Sequence, residues 1–360
     1  MPVNQSSSAD LLVQVRSDID AFLSGFFETQ ITRALAVDSS YAELWKSLKT
    51  VALAGGKRLR PYMTILAYRS FAADQDHTDI IPVAGAQELL HISMLIHDDI
   101  IDEDYIRHDT DNVSGIYLKR YGAYLPNGAE QRHYAQSAAL IGGDLVLAGA
   151  HQAINTSRLG DAQKQLASDI LNDAIFIVCG GELLDTESSF KPRTDIDALK
   201  IAQLKTASYS FVSPLIMGAS LAGASQDDLA KLRDFGTNLG IAFQLTDDIL
   251  GLYGDEKITG KSVKSDLRQG KRTYLLLAAI ERAGARQQEL ESLVGKKDLN
   301  DADLKTAQTI ISDCGAKQAT EELIQSYAAA AESVLTSLNI PADYRDQYTT
   351  LIGKTINRTS

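Results

Sequence analysis

Ile96-His97-Asp98-Asp99-Ile100-Ile101-Asp102-Glu103-Asp104 sets five carboxylates within seven residues at the end of an apolar run. That run, Ile80 to Ile96, has Glu88 and His91 as its only titratable interruptions and reads as a buried helix. If the helix continues, Asp98 and Asp102 stand at i and i+4, about 6 Å apart along the axis. Like charges so placed repel, and acids at a helix C-terminus oppose the macrodipole, so the cluster calls for a counter-charge. Hard divalent cations supply it, and magnesium with a phosphorylated substrate is the usual partner of one or two carboxylates. The bland alternative is a solvated helix end. A calcium hand does not fit, because Ile100 holds the third loop position counted from Asp98 and no glycine holds the sixth.

The chain has 360 residues and is 44% hydrophobic, enough for a large core. A net charge of −12 argues against general nucleic-acid binding and against a purely electrostatic hold on an anionic membrane. Cys179 and Cys314 lie far apart, without Cys or His at metal spacing, which suggests a reducing compartment. Met1 to Asp10 is polar and reads as a disordered lead-in without a signal core. No uninterrupted apolar run of about 18 residues occurs, so the expectation is a cytoplasmic protein without a membrane span.

Seven prolines and few alternating β-branched runs predict an all-α fold. Helices are expected over 11–36, 41–54, 59–71 and 80–104, with 107–114 a loop. Long ones follow over 131–157, 162–188, 195–221 and 227–252. A polar loop over 254–270 separates these from shorter helices to 352. Such lengths suit a bundle, and with no repeat or linker visible the simplest organisation is one helical domain over 11–360.

Three further motifs carry charge. Gly55-Gly56-Lys57-Arg58-Leu59-Arg60-Pro61 sets three cations in four residues after a glycine pair, and Lys57 and Arg60 can converge on one phosphate. A helix cap followed by surface cations is its bland reading. Gln244-Leu245-Thr246-Asp247-Asp248-Ile249-Leu250-Gly251 repeats the first cluster's logic, with an Asp pair at the end of an apolar helix. Two such helices facing across a bundle would hold several magnesium ions around one diphosphate. Thr259-Gly260-Lys261, Lys264, Arg268, Lys271 and Arg272 then offer cations for a lid, and Lys205-Thr206 adds a cation inside an apolar helix. Together the parts suit ionisation of a diphosphate from an allylic carbon sheltered by apolar helices.

In these motifs and their order the sequence resembles the trans-isoprenyl diphosphate synthases, or polyprenyl synthetases, and most of all the geranylgeranyl and farnesyl diphosphate synthases. The likeness runs from about Lys46 to Arg272, and Gly143-Asp144 and Gly181-Glu182 also fall where that family has comparable residues. It implies a helical bundle around a central cavity, working as a homodimer. It further implies that Lys57, Arg60, His91 and His108 hold isopentenyl diphosphate, and that Arg107, Lys205, Lys261 and Lys271 contact the allylic diphosphate. Asp98, Asp102 and Asp247, supported by Asp99 and Asp248, would bind magnesium, three ions with substrate present. Thr206 and Gln244 would stabilise the allylic cation, making them with Lys205 the catalytic set.

By the same resemblance, Ser93, Met94 and Leu90 line the cavity wall and set chain length. With no large aromatic among them, a twenty-carbon product is expected, ahead of longer chains and of a fifteen-carbon one. A terpene cyclase would not need the Lys57/Arg60 site, and a non-catalytic regulatory subunit would tend to lose the aspartates that stand here. Several positions depart from the family pattern. Gly251 stands in place of the second motif's last Asp, Ser262 and Lys264 stand in the lid, and Asp109 follows His108, which replaces a second Arg. A neutral imidazole cannot substitute for a guanidinium, so the KM for isopentenyl diphosphate is expected to rise from pH 6 to 8 and to flatten in His108→Arg. A flat profile in the native protein excludes this role.

Overall fold

The computed structural model describes residues 8–72, 76–107, 110–254 and 263–358. The chain gathers into two compact units: residues up to Leu171 with Ile216–Ala224, and Asn172–Leu215 with Ser225 onward.

In the first unit lie α1 (Ser8–Leu35), α2 (Ser39–Leu53), α3 (Leu59–Phe71), α4 (Ile81–Ile101), α5 (Val113–Tyr121), α6 (Gly128–Asn155) and the start of α7 (Asp161–Ser188). Short strands β1 (Ile106–Arg107) and β2 (Thr110–Asp111) pair antiparallel after α4. α4 is the central helix, packed on α6, α3 and α1. It buries Val83, Ala86, Leu89, Leu90, Ile92 and Ile96, as the apolar run requires. The segment Thr78–Ile101 is long and apolar enough to cross a membrane, yet 67% of its most apolar window is buried inside the protein. Gly143 on α6 leaves room for the His97 ring, where a Cβ would come within 2.2 Å.

The second unit is built on α10 (Gln226–Tyr253), which packs against a π-helical run (Ala202–Val212), α15 (Ala316–Leu335) and α16 (Ala342–Ile356). α8 (Ala198–Ile201) leads into the π-helical run and α9 (Ser213–Leu221) continues from it, α9 crossing into the first unit. Beyond α10 stand α11 (Ser265–Gln269), α12 (Tyr274–Arg282), α13 (Gln287–Leu293) and α14 (Asp301–Asp313). Leu252, Leu267, Leu275, Leu276, Ile280 and Ile310 are among the buried residues that fill the core between them.

Several expectations need correction. The lead-in over 1–10 falls partly outside the described residues, and Ser8 already begins α1. The loop over 107–114 contains β2 and the start of α5, which Asn112 initiates by accepting a hydrogen bond from Gly115 N with its side chain. The loop over 254–270 contains α11. The helix over 195–221 is three pieces, and its π-helical middle is eleven residues long. Single π turns are the common form and cluster at functional sites, so a run of this length marks the segment.

Glycines let other helices approach this π-helical run to backbone distance. A Cβ at Gly240 would lie 2.4 Å from Ala207 Cα, and one at Gly181 would lie 2.3 Å from Lys205 N. Gly240→Ala is therefore expected to destabilise the fold by about 1–3 kcal/mol through overpacking. Gly180→Ala, where nothing stands within 4 Å, should be neutral or stabilising by about 0.5–1 kcal/mol. Thermal melts of the two variants decide the point, and equal losses would contradict it.

Candidate active site

α4 ends at Ile101, with Asp102 as its C-cap donating its backbone N–H to Asp98 O at 2.8 Å, so Asp98 and Asp102 stand one turn apart as the spacing predicts. Glu103 takes left-handed φ of 55°, and Asp104 N bonds Asp99 O, closing the helix end. The β1–β2 ladder returns Arg107 onto this end. Its Nε and Nη2 donate to Asp99 Oδ1 at 2.9 and 2.5 Å, and Nη2 reaches Asp98 Oδ2 at 3.3 Å. Asp99 is thus a buried acid committed to Arg107, whereas Asp98 and Asp102 are half-buried.

Lys57 is exposed and Arg60 half-buried at the N-terminus of α3. Burial first, then the charges of Arg60, Arg107 and Arg58, hold the His91 imidazole well below its usual pKa, and Asp98 opposes them weakly. His91 is therefore a neutral donor or acceptor near neutral pH. Ser93 has no exposed surface and donates its hydroxyl to Gly143 O at 2.9 Å on α6. It is packed between α4 and α6, with its hydroxyl spent on that carbonyl. Leu90 is likewise buried, and Met94 is half-buried.

In the second unit, Thr206 Oγ1 donates to Gln244 Oε1 at 2.5 Å and Gln244 Nε2 donates to Asp248 Oδ1 at 2.8 Å. Burial, joined by the charges of Asp266, Asp247 and Asp185, pushes the Asp248 carboxyl well above its ordinary pKa, while the Gln244 bond pulls the other way. Asp248 is thus held towards its protonated form while it orients Gln244 through that hydrogen bond. Asp247 is more open. It accepts from Arg358 Nη1 at 2.7 Å, and that guanidinium lies 4.3 Å over the Phe243 ring.

Lys205, inside the π-helical run, meets Asp185 Oδ2 at 2.6 Å and Glu182 Oε2 at 3.0 Å, both on α7. Lys271 also faces Asp185, at 3.9 Å. Asp266 explains Gly251: a Cβ at residue 251 would come within 2.6 Å of Asp266 Oδ2. A carboxylate from α11 thus borders the place where the second motif lacks its last Asp. His108 and Lys261, expected as diphosphate contacts, lie outside the described residues, as do Asp109 and Ser262.

Asp185, Asp266 and Arg358 were missed from sequence. Asp185 falls one turn after Glu182 and shared its helix face; the other two carried no local signal. Among the described residues no three metal-ligating side chains converge on one point. Each acidic cluster offers one or two carboxylates, the donor set magnesium takes when phosphate and water oxygens complete an octahedron. The residues present fit that ion better than calcium or zinc, which prefer fuller protein cages.

The Polyprenyl synthetase family profile matches residues 42–311. The chain is 35% identical over 295 residues to the geranylfarnesyl diphosphate synthase of Aeropyrum pernix, covering 80% of this chain and 85% of the relative. It is 33% identical over 281 residues to the geranylgeranyl diphosphate synthase of Sulfolobus acidocaldarius, covering 76% and 78%. Its fold matches the crystal structure of geranylgeranyl pyrophosphate synthase from Corynebacterium glutamicum, complexed with isoprenyl diphosphate and magnesium. That match has a TM-score of 0.89 and 28% identity, over 96% of this chain and 99% of that one. The all-α architecture, the order of the motifs and these likenesses agree: the chain belongs to the polyprenyl synthetase family and is a prenyl-transferring enzyme.

Proposed function

We propose that the protein condenses an allylic diphosphate with isopentenyl diphosphate, head to tail, and that its product is geranylgeranyl diphosphate. The observation that carries the reading is the pairing of its charged groups. Arg107 on Asp98 and Asp99, Lys205 on Glu182 and Asp185, and Arg358 on Asp247 set cations beside carboxylates at the ends of apolar helices. A metal-bound diphosphate satisfies both members of such pairs at once.

In this reading Asp98, Asp102 and Asp247 hold magnesium, which when bound neutralises charge developing on the departing diphosphate. Arg107, Lys205 and Lys271 bind the allylic diphosphate oxygens, and Lys57, Arg60 and neutral His91 bind those of isopentenyl diphosphate. Thr206 and Gln244, locked to each other and to Asp248, present fixed dipoles to the allylic cation and cost no reorganisation when it forms. The apolar helices exclude water that would quench it. The isopentenyl double bond attacks, and the proton is lost to the departing pyrophosphate.

The archaeal relatives named for twenty- and twenty-five-carbon products support a chain length of this order, with the longer product as the second reading. Exposed Leu140 and Ile141 on α6, and exposed Phe176 and Leu183 on α7, support a homodimer that covers them. The acidic composition and the buried α4 support work in the cytoplasm.

The test is incubation with labelled isopentenyl diphosphate, each allylic primer and magnesium, followed by product chromatography. A twenty-carbon diphosphate is expected, with kcat falling about 100-fold in Asp98→Asn and in Asp247→Asn. Cyclised hydrocarbons formed without isopentenyl diphosphate would reveal a cyclase, and no turnover without a second chain would reveal a regulatory subunit.

His91 supplies a separate prediction. The folded protein holds it neutral, whereas the unfolded chain protonates it near pH 6.5, so the unfolded state binds more protons below that value. Stability is then lost as pH falls below about 6.5. Melting temperatures from pH 7.5 to 5 should drop further for the native protein than for His91→Gln, and parallel curves would contradict the assignment.

A further inference from the structure

Lys57, Arg58 and Arg60 are adjacent cations in sequence, but their side chains have separate surroundings. Arg58 is buried, 4% exposed, and its guanidinium spends three donors on three different helices. Nε donates to Asp20 Oδ1 on α1 at 2.8 Å, Nη1 to Glu88 Oε1 on α4 at 2.9 Å, and Nη2 to Ala52 O on α2 at 2.9 Å. Its backbone is left-handed, with φ 48° and ψ 41°, a conformation a side chain of its type seldom adopts. The loop before it is shaped around the guanidinium. Gly55 and Gly56 have φ of 135° and 131°, and a Cβ on Gly56 would come within 3.1 Å of Arg58 Nη1.

We propose that Arg58 is the positioning residue of the isopentenyl diphosphate subsite, acting through its fork to Glu88 and Asp20 and not by touching substrate. The proposal rests on the assignment of that substrate to Lys57, Arg60 and His91. One guanidinium sets both sides of the subsite. Through its own backbone it holds Lys57 and Arg60, which flank it on the loop and at the start of α3. Through Glu88 it fixes α4 three residues before His91, less than one turn away. Lysine cannot take over this role, because an ammonium is a point charge on a flexible stem, while the planar fork meets three acceptors in fixed directions. Glu88 depends on the fork as well: its other oxygen, Oε2, is buried without a hydrogen-bond partner.

The test compares Arg58→Gly, Arg58→Lys, Glu88→Gln and Arg60→Ala. Glycine keeps the left-handed backbone and removes the fork, lysine keeps the charge, and Glu88→Gln weakens the fork from its far end. Measured quantities are KM for each substrate, kcat, the melting temperature, and calorimetric binding of isopentenyl diphosphate without turnover. The expected result is a KM and Kd for isopentenyl diphosphate raised about 10-fold or more in both Arg58 variants and in Glu88→Gln. The KM for the allylic substrate and kcat should stay within about 2-fold.

The proposal is overturned if the Arg58 and Glu88 variants leave isopentenyl diphosphate binding unchanged while Arg60→Ala weakens it. It is equally overturned if both KM values and kcat deteriorate together with the melting temperature, as for a packing residue. If Arg60→Ala is also without effect, the substrate assignment itself has failed. Should the Arg58 variants not fold, Glu88→Gln decides alone by the same criterion.

Discussion

Repulsion between carboxylates is the constraint on which the rest of the site depends. Asp98, Asp99 and Asp102 crowd the end of α4, and Asp247, Asp248 and Asp266 gather around the end of α10. Two unit charges 4 Å apart interact by about 4 kcal/mol at an effective dielectric constant of 20, so these ends need compensation to exist. Each acid is treated differently. Asp99 is neutralised by the Arg107 fork, Asp248 by burial that favours its protonated form, and Asp247 by Arg358. Asp98 and Asp102 are half-buried at the end of α4 and Asp247 is the more open acid at the end of α10, and in the proposed function these three would hold the exchangeable hard cation.

The cations of the site are held by carboxylates in the same way. Lys205 lies between Glu182 and Asp185, and Arg107 between Asp98 and Asp99. Under the proposed function a metal-bound diphosphate would meet cations and carboxylates that are already desolvated as pairs, so little new desolvation would be required. The arrangement also keeps long side chains from sampling many rotamers before substrate arrives, which lowers the ordering cost of binding.

Holding charged groups this close depends on small residues at backbone contacts. Gly181 and Gly240 let α7 and α10 approach the π-helical run at Lys205 and Ala207, Gly143 admits the His97 ring, and Gly251 admits the Asp266 carboxylate. The π-helical geometry changes which residues share a face. Lys205 is turned towards α7, and Thr206 towards Gln244 on α10.

By itself the sequence determined the helical class, the places where most helices lie, and the two aspartate clusters, the first with its one-turn spacing. It also marked the cationic loop and, through its motifs, the family. These are local properties: apolar periodicity, a glycine pair and acids at helix ends are visible within a dozen residues. Only the tertiary structure decided that Asp248 orients Gln244, that Ser93 is spent on the Gly143 carbonyl, and that Asp266 stands beside Gly251. The same holds for the different fates of Arg58 and Lys57, one buried in a three-helix fork and the other exposed. Burial and hydrogen-bond partners come from residues far apart in the chain, 111 positions for Arg358 and Asp247, and no pattern in a short window encodes them. They set the protonation and direction of each charged group, and so its chemical role.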